Sequence, residues 1–220
     1  MAQTAEDLFL LLHDNPSAEP GLDSTRLRQV LAGAVLLDLA HGCHIRPAGP
    51  GDNVPDGHLI VLASDVPVDE ASRPALQLLH KRPLPPLAAM SALGTKASDS
   101  VVTALAQSGQ LSRTVTGPLW HRKDSLALLT RARVDEARAA LLATLFDRQP
   151  PTPATAGIVT LLHAVDGLGT VLSLNDRGWR WVHVRAAEIA GGRWVHESAT
   201  GVAEMNLAVT ASALRAALAP

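Results

Sequence analysis

Four places in this chain bring together residue types that do chemistry. The string HGCH, residues 41–44, sets two imidazoles and a thiol within one turn, the donor types that bind zinc. A zinc site takes four protein ligands, or three and a water, and no second Cys or His cluster supplies the remainder. HGCH therefore reads as a helix end that holds no metal. In LLHAVD, His163 and Asp166 stand three apart, which on a helix places them on one face as a base and its orienter. Their apolar surroundings point to a buried pair that satisfies itself or a backbone carbonyl; an enzyme built on them needs a polar pocket that reaches this helix. GLGT, residues 167–170, has two glycines of a phosphate loop but lacks the third glycine, the lysine and the preceding strand. Asp135 and Glu136 are adjacent, point in different directions on their helix and form no acid/base pair. No nucleophile has a base beside it. The expectation is a binding protein, not an enzyme, that requires no metal, nucleotide or other cofactor.

Binding chemistry is better represented. TVTGPLWHRK, residues 114–123, sets the apolar pair Leu119 and Trp120 beside a Gly117-Pro118 turn and runs directly into His121, Arg122 and Lys123. A Trp ring with its polar N–H suits the boundary between lipid headgroups and acyl chains, and flanking cations suit anionic lipid. The same stretch closes a basic segment. Residues 1–70 carry eleven Asp/Glu against three Lys/Arg, and residues 124–220 carry nine of each. Residues 71–123 carry seven cations (Arg73, Lys81, Arg82, Lys96, Arg113, Arg122, Lys123) against Asp99 alone. This asymmetry points to an anionic partner on one face.

These residues must be positioned by a mostly helical chain. At 220 residues and 47% hydrophobic, the sequence suffices for one sizeable core, and a single domain over 1–220 is expected. The lone Cys43 forms no internal disulfide, which fits a reducing compartment. No signal-peptide pattern opens the chain, and no apolar run nears the ~20 residues that span a bilayer; a cytoplasmic location is expected. Thr4 is the expected cap of a first helix with Glu6 and Asp7 in its first turn. Ser24 or Thr25 opens a second, whose Leu27, Leu31, Val35, Leu36 and Leu39 recur at helical spacing and which Gly42 ends. Residues 46–57, with three Pro and three Gly, read as a surface loop, and 58–62 as a strand. Short helices follow over 68–80 and 84–93, then a helix over 99–107 capped by Ser98, a hairpin around Gly117-Pro118, and a long helix over 130–147. Residues 154–172 are the most apolar helix, and two further helices cover 181–190 and 198–217. Leu31, Val35, Leu36, Leu39, Ile158, Leu161 and Leu162 are the expected core.

Several strings, in this order, resemble the Golgi phosphoprotein 3 family: EDLFLLLHD at 6–14, LAGAVLLDLAHG at 31–42, SDVPVDEA at 64–71, ALAQSGQL at 104–111 ahead of the hairpin, and AGIVTLLHAVDGLGTVL at 156–172. The resemblance spans nearly the whole chain and implies a mainly α domain on a central helical bundle, with one apolar hairpin that enters the membrane surface. It further implies peripheral recognition of phosphatidylinositol 4-phosphate at the cytoplasmic face of a membrane. In eukaryotic members it implies capture of the cytoplasmic tails of Golgi glycosyltransferases.

Carried over residue by residue, the family's lipid-contacting Trp falls on Asp23 and its first Arg on Ala32, while its Arg pair falls on Thr95 and Ser98. None of the four matches, and planar bidentate Arg contacts are what fix a phosphate. Lys96 lies between the last two, and a helix opening at Ser98 and Asp99 offers free N–H groups to an anion. The family's apolar tip falls on Pro118, Leu119 and Trp120. The expected partners are thus anionic membrane lipid, membrane-protein tails and, as an open question, a second copy of the chain. The alternative is a winged helix, in which the helix from Ser98 enters a DNA groove and the Arg-bearing hairpin touches the backbone. That helix starts with no Arg, Asn or Gln to read bases, so nucleic acid is not expected.

Overall fold

Helix α2, Ser24–His41, runs through the middle of the structure, and every residue from 30 to 40 in it is buried. Its Leu, Val, Ala and Gly residues surround the whole helix, and a helix apolar on all sides has no face to give to water. A computed structural model describes residues 3–14, 21–116, 123–172, 176–197 and 200–219, with the backbone alone for 115–116, 123–125 and 176–177. Against α2 pack α1 (Thr4–His13), α4 (Pro86–Leu93), α5 (Thr95–Gln107), α7 (Pro153–Ala164) and α9 (Val202–Leu218). Three more helices, α3 (Arg73–Lys81), α6 (Ala132–Phe146) and α8 (Asp176–Ala190), complete the nine among the described residues. Two antiparallel hairpins interrupt them: β1 (Ile45–Pro47) with β2 (Leu59–Val61), and β3 (Leu111–Thr116) with β4 (Lys123–Leu128). The architecture is mainly α, as the sequence suggests. Among the described residues no helix is long and apolar enough to cross a membrane.

All seven expected core residues, Leu31, Val35, Leu36, Leu39, Ile158, Leu161 and Leu162, are buried in one continuous cluster. Two glycines let the central helices close on one another. A Cβ on Gly33 would come within 2.8 Å of Leu161 Cδ2, and one on Gly157 within 2.8 Å of Thr4 Cγ2 and 3.1 Å of Leu37 Cδ1.

Several boundaries differ from the sequence reading, each for a local reason. Helix α3 starts at Arg73 rather than 68, because the Asp69 carboxylate accepts the Ser72 N–H at 2.8 Å and holds the preceding residues in a turn. Helix α5 begins at Thr95, not after Ser98: Gly94, at φ +46°, ends α4 and starts α5 in a single residue. Ser98 is therefore a fourth helical residue, not a cap. Helix α7 stops at Ala164, since Asp166 sits at φ +52° and a 3-10 turn, Leu168–Thr170, follows.

Thr4 does not cap α1 either. Gln3 holds the N-cap position without a side-chain bond, and the missing acceptor comes from α2: Asp38 accepts the N–H of Thr4 at 2.8 Å and of Ala5 at 3.0 Å. Asp38 is only 4% exposed, and Thr4 and Ala5 are wholly buried. With its first donors satisfied inside the protein, α1 buries all of Leu8, Phe9, Leu10, Leu11 and Leu12. Glu6 and Asp7 pair with Arg133 of α6, and Asp14 with Arg131 and Arg138 at 2.7 and 2.6 Å, so α6 grips α1 at both ends.

At the other side, Arg185 of α8 is buried and makes two 2.6 Å bonds to the Glu197 carboxylate. Its Nε also donates to the Thr144 carbonyl at 3.3 Å, which fixes α8 against the end of α6.

Burial pushes the Asp38 carboxyl up to about 8, against the lowering effect of the Ala5 and Thr4 N–H groups. The folded chain thus holds a proton there that the unfolded chain releases near 3.8. The stability this contributes is complete below about pH 4 and is lost as pH rises through about 8. Denaturant melts across that range should show the slope in the wild type and its loss in Asp38→Asn. Asp38→Ala, which strands two buried donors at about 1–3 kcal/mol each, should be destabilised at every pH.

Candidate functional site

Of the basic segment, residues 71–116 fold as α3, α4, α5 and the strand β3, with α3 packed on α4 and α5, and α5 on β3. Sequence neighbours thus stay neighbours in space. Pro74 pre-sets the first turn of α3, which ends on His80 and Lys81, where the helix dipole favours cations. Arg82 then turns extended ahead of Pro83, and the Leu84 carbonyl takes the Leu59 N–H at 2.8 Å, stitching the connection to β2. Lys81, Arg82 and Lys96 are solvent-exposed and have no ion pair among the described residues. Arg113 is exposed on β3 opposite Leu126, while Leu111 of the same strand is buried.

At the start of α5, Thr95 and Lys96 face solvent, Ala97 is buried and Ser98 is half-buried. The N–H groups outside the intrahelical ladder belong to Thr95, Lys96 and Ala97, one turn earlier than the sequence suggests. The solvent face of α5 carries Lys96, Asp99, Thr103 and Gln107, with a single cation and no Arg.

The other family-equivalent positions are not gathered with these. Asp23 is exposed and caps α2, accepting the N–H of Thr25 at 2.9 Å and of Arg26 at 3.0 Å. The Arg26 N–H, with that of Thr25 behind it, holds the Asp23 carboxyl below its usual range. A carboxylate already occupies this helix terminus, so it is closed to an anion. Ala32, 0% exposed, is interior and touches no surface ligand, which corrects its expected place in a headgroup site. Pro118, Leu119, Trp120 and Arg122 lie outside the described residues, as does the side chain of Lys123, whose backbone pairs with Thr116 at the start of β4.

These elements, in this order along the chain, match one family description. Residues 5–205 fit the model of Golgi phosphoprotein 3 (GPP34). The chain belongs to the Golgi phosphoprotein 3 family. None of the curated proteins matches it. Family membership agrees with the mainly α fold.

The motifs weighed for catalysis resolve structurally in this family member. His163 is half-buried in the last turn of α7, but Asp166 has left the helix and is exposed, and no hydrogen bond joins the two side chains among the described residues. A cavity of about 350 Å³ does reach this corner, lined by Arg26, Gln29, His163 and Asp166. Among the described residues its histidine has no hydrogen-bonded orienting partner; its ring meets that of His183 edge-on at 6.1 Å between centroids. HGCH is the end of α2: Gly42 caps it, Cys43 takes φ +53° and His44 is buried. His41 stands 3.7 Å from Glu204, and burial holds both imidazoles below the usual histidine range. Among the described residues no group of three or more His, Cys, Asp or Glu side chains converges on a metal position. Asn206, which no motif singled out, closes this end of α2 by donating to the Ala40 and Ile45 carbonyls at 2.6 and 2.8 Å.

Elemental analysis of protein purified without added metal should find no stoichiometric zinc. Zinc present at one equivalent and lost in Cys43→Ser would show that HGCH is a metal site.

Proposed function

We propose that this protein docks peripherally on an anionic membrane surface through α3, α5 and the β3–β4 hairpin, and serves there as a non-enzymatic adaptor for membrane-protein tails. The observation that carries this reading is the gathering of residues 71–116, with five Lys/Arg against Asp99 alone, onto contiguous elements whose Lys81, Arg82 and Lys96 face solvent. The sequence of the connecting residues adds the apolar tip, Pro118, Leu119 and Trp120, flanked by Arg113, Arg122 and Lys123. Membership of the Golgi phosphoprotein 3 family supports both parts. Each basic residue near an anionic surface contributes about 1 kcal/mol, so several of them with one inserted Trp support reversible docking.

The headgroup chemistry is that of a general anion binder. Asp23, Ala32, Thr95 and Ser98 supply no guanidinium, so these four positions do not carry the phosphatidylinositol 4-phosphate contacts that the family resemblance implies. Binding should fall steeply with salt, because the exposed cations act through a screened field.

Vesicle co-sedimentation tests this. Leu119→Ser/Trp120→Ser removes apolar area worth about 1.5–3 kcal/mol per side chain once buried in lipid, so affinity for anionic vesicles should drop at least about tenfold with an unchanged thermal melt. A large fall in melting temperature instead would place the two side chains in the core. Lys81→Glu/Arg82→Glu/Lys96→Glu should abolish the salt-sensitive component. Tighter binding to duplex DNA than to anionic vesicles would overturn the reading in favour of a winged helix.

A further inference from the structure

Three helices that pack on one another, α2, α7 and α9, meet at a corner where the first turns of α2 face the last turns of the other two. The cavity of about 350 Å³ lies there, and the LLHAVD motif forms one side of it. Helix α2 lends it Arg26 and Gln29, which stand three apart and so share a face. From the other side come His163, in the last turn of α7, and Asp166, two residues beyond the helix. Leu218, near the end of α9, adds an apolar side chain. The turn that carries Asp166 is pinned: its own N–H donates to the His163 carbonyl at 3.3 Å, and the Gly167 N–H to the Leu162 carbonyl at 2.7 Å.

The fold makes little use of the polar groups in this cavity. The side chains of Gln29 and Asp166 form no hydrogen bond or ion pair, and His163 has only its ring contact with His183 among the described residues. Arg26 stands beside Asp23, Nε to carboxylate 3.3 Å, but its guanidinium donates no hydrogen bond among them. What these groups offer divides by element. The α2 side presents donors, a guanidinium and an amide, in the arrangement that a planar carboxylate accepts. The α7 side presents acceptors, the Asp166 carboxylate and a ring nitrogen of His163. A simple anion would be repelled by Asp166 and a simple cation by Arg26. A guest that answers both sides carries an anionic acceptor at one end and a cationic donor at the other.

We propose that this corner binds a free amino acid, with its carboxylate on Arg26 and Gln29, its ammonium on Asp166 and His163, and its side chain against Leu218. The site uses α2, α7 and α9, whereas membrane docking is assigned to α3, α5 and the β3–β4 hairpin, so the two readings stand or fall separately. It also gives a use to the His163–Asp166 pair, which the fold leaves unjoined.

Isothermal titration calorimetry of the full chain without lipid tests it, with the twenty coded amino acids, β-alanine and γ-aminobutyrate as probes. At least one should bind with a dissociation constant below about 1 mM. The N-acetyl and methyl ester forms of the best binder each lack one charge, and each should bind at least about tenfold more weakly, because a charge-assisted hydrogen bond is lost. Arg26→Gln and Asp166→Asn should weaken the best binder to a similar degree with an unchanged thermal melt, since both side chains are exposed. Coupling separates direct contact from a general disturbance: Arg26→Gln should erase most of the penalty for the methyl ester, and Asp166→Asn most of the penalty for the N-acetyl form. Absence of binding by every amino acid at about 10 mM overturns the proposal, as does either variant binding like the wild type or a coupling pattern in which the penalties persist. Acetate or ethylammonium bound as tightly as the best amino acid would show a site for one charge only and overturn it. O-phosphoethanolamine bound more tightly than every amino acid would assign the corner to a zwitterionic lipid headgroup and likewise overturn it.

Discussion

A carboxyl group in the middle of the buried central helix accepts the first two N–H groups of another helix, and the arrangement of the bundle follows from that bond. Helix ends are polar and ordinarily stay near water. Asp38 supplies α1 with an internal acceptor, so Thr4 and Ala5 lie in the core and the helix behind them buries five consecutive apolar residues. A helix buried that deeply needs covering along its length, and α6 provides it, with Arg133 at one end of α1 and Arg131 and Arg138 at the other.

Those ion pairs shape the electrostatics of the whole molecule. Part of the acidic excess of residues 1–70 is paired within the fold: Glu6 and Asp7 with Arg133, Asp14 with Arg131 and Arg138, and Asp52 with Arg46 in the loop it closes. Lys81, Arg82 and Lys96 have no such internal partners among the described residues, although Arg73 does pair with Glu70. Summing charges over the sequence therefore understates the contrast between faces. Acids of the first seventy residues are paired with arginines from elsewhere in the chain, while Lys81, Arg82 and Lys96 are displayed.

What the sequence made legible was whatever depends on near neighbours. The apolar spacing of α2 and α7 gave their cores, Gly42 gave the end of α2, and Pro and Gly clusters located the hairpin and most of the loop over 46–57, although Arg46 and Pro47 at its start pair in β1. What it hid depends on partners far along the chain. Asp38 is a lone acid in an apolar stretch, and the N–H groups it serves are more than thirty residues away. Arg185 and Asn206 were equally silent, since a buried Arg and a capping amide look in sequence like any surface residue. The start of α5 was misplaced because Ser98 is a good cap by type, whereas Gly94 already served both helices with a backbone angle that composition does not reveal. Of the family-equivalent site, the mismatch of residue types was readable. That Ala32 is interior, and so belongs to no surface site at all, required the structure.

The contact between Gly157 and Thr4 gives the bundle an unusual dependence on something missing. The methyl of Thr4 fills the space a side chain at 157 would take, and the N–H of that same Thr4 reaches Asp38 at 2.8 Å. One added carbon at 157 would act as a wedge against Thr4, lifting α1 off its acceptor while also pressing on Leu37, one residue before Asp38. A polar bond at the centre of the protein is thereby held in register by an atom that is not there, and the tolerance of that register is a fraction of a carbon radius.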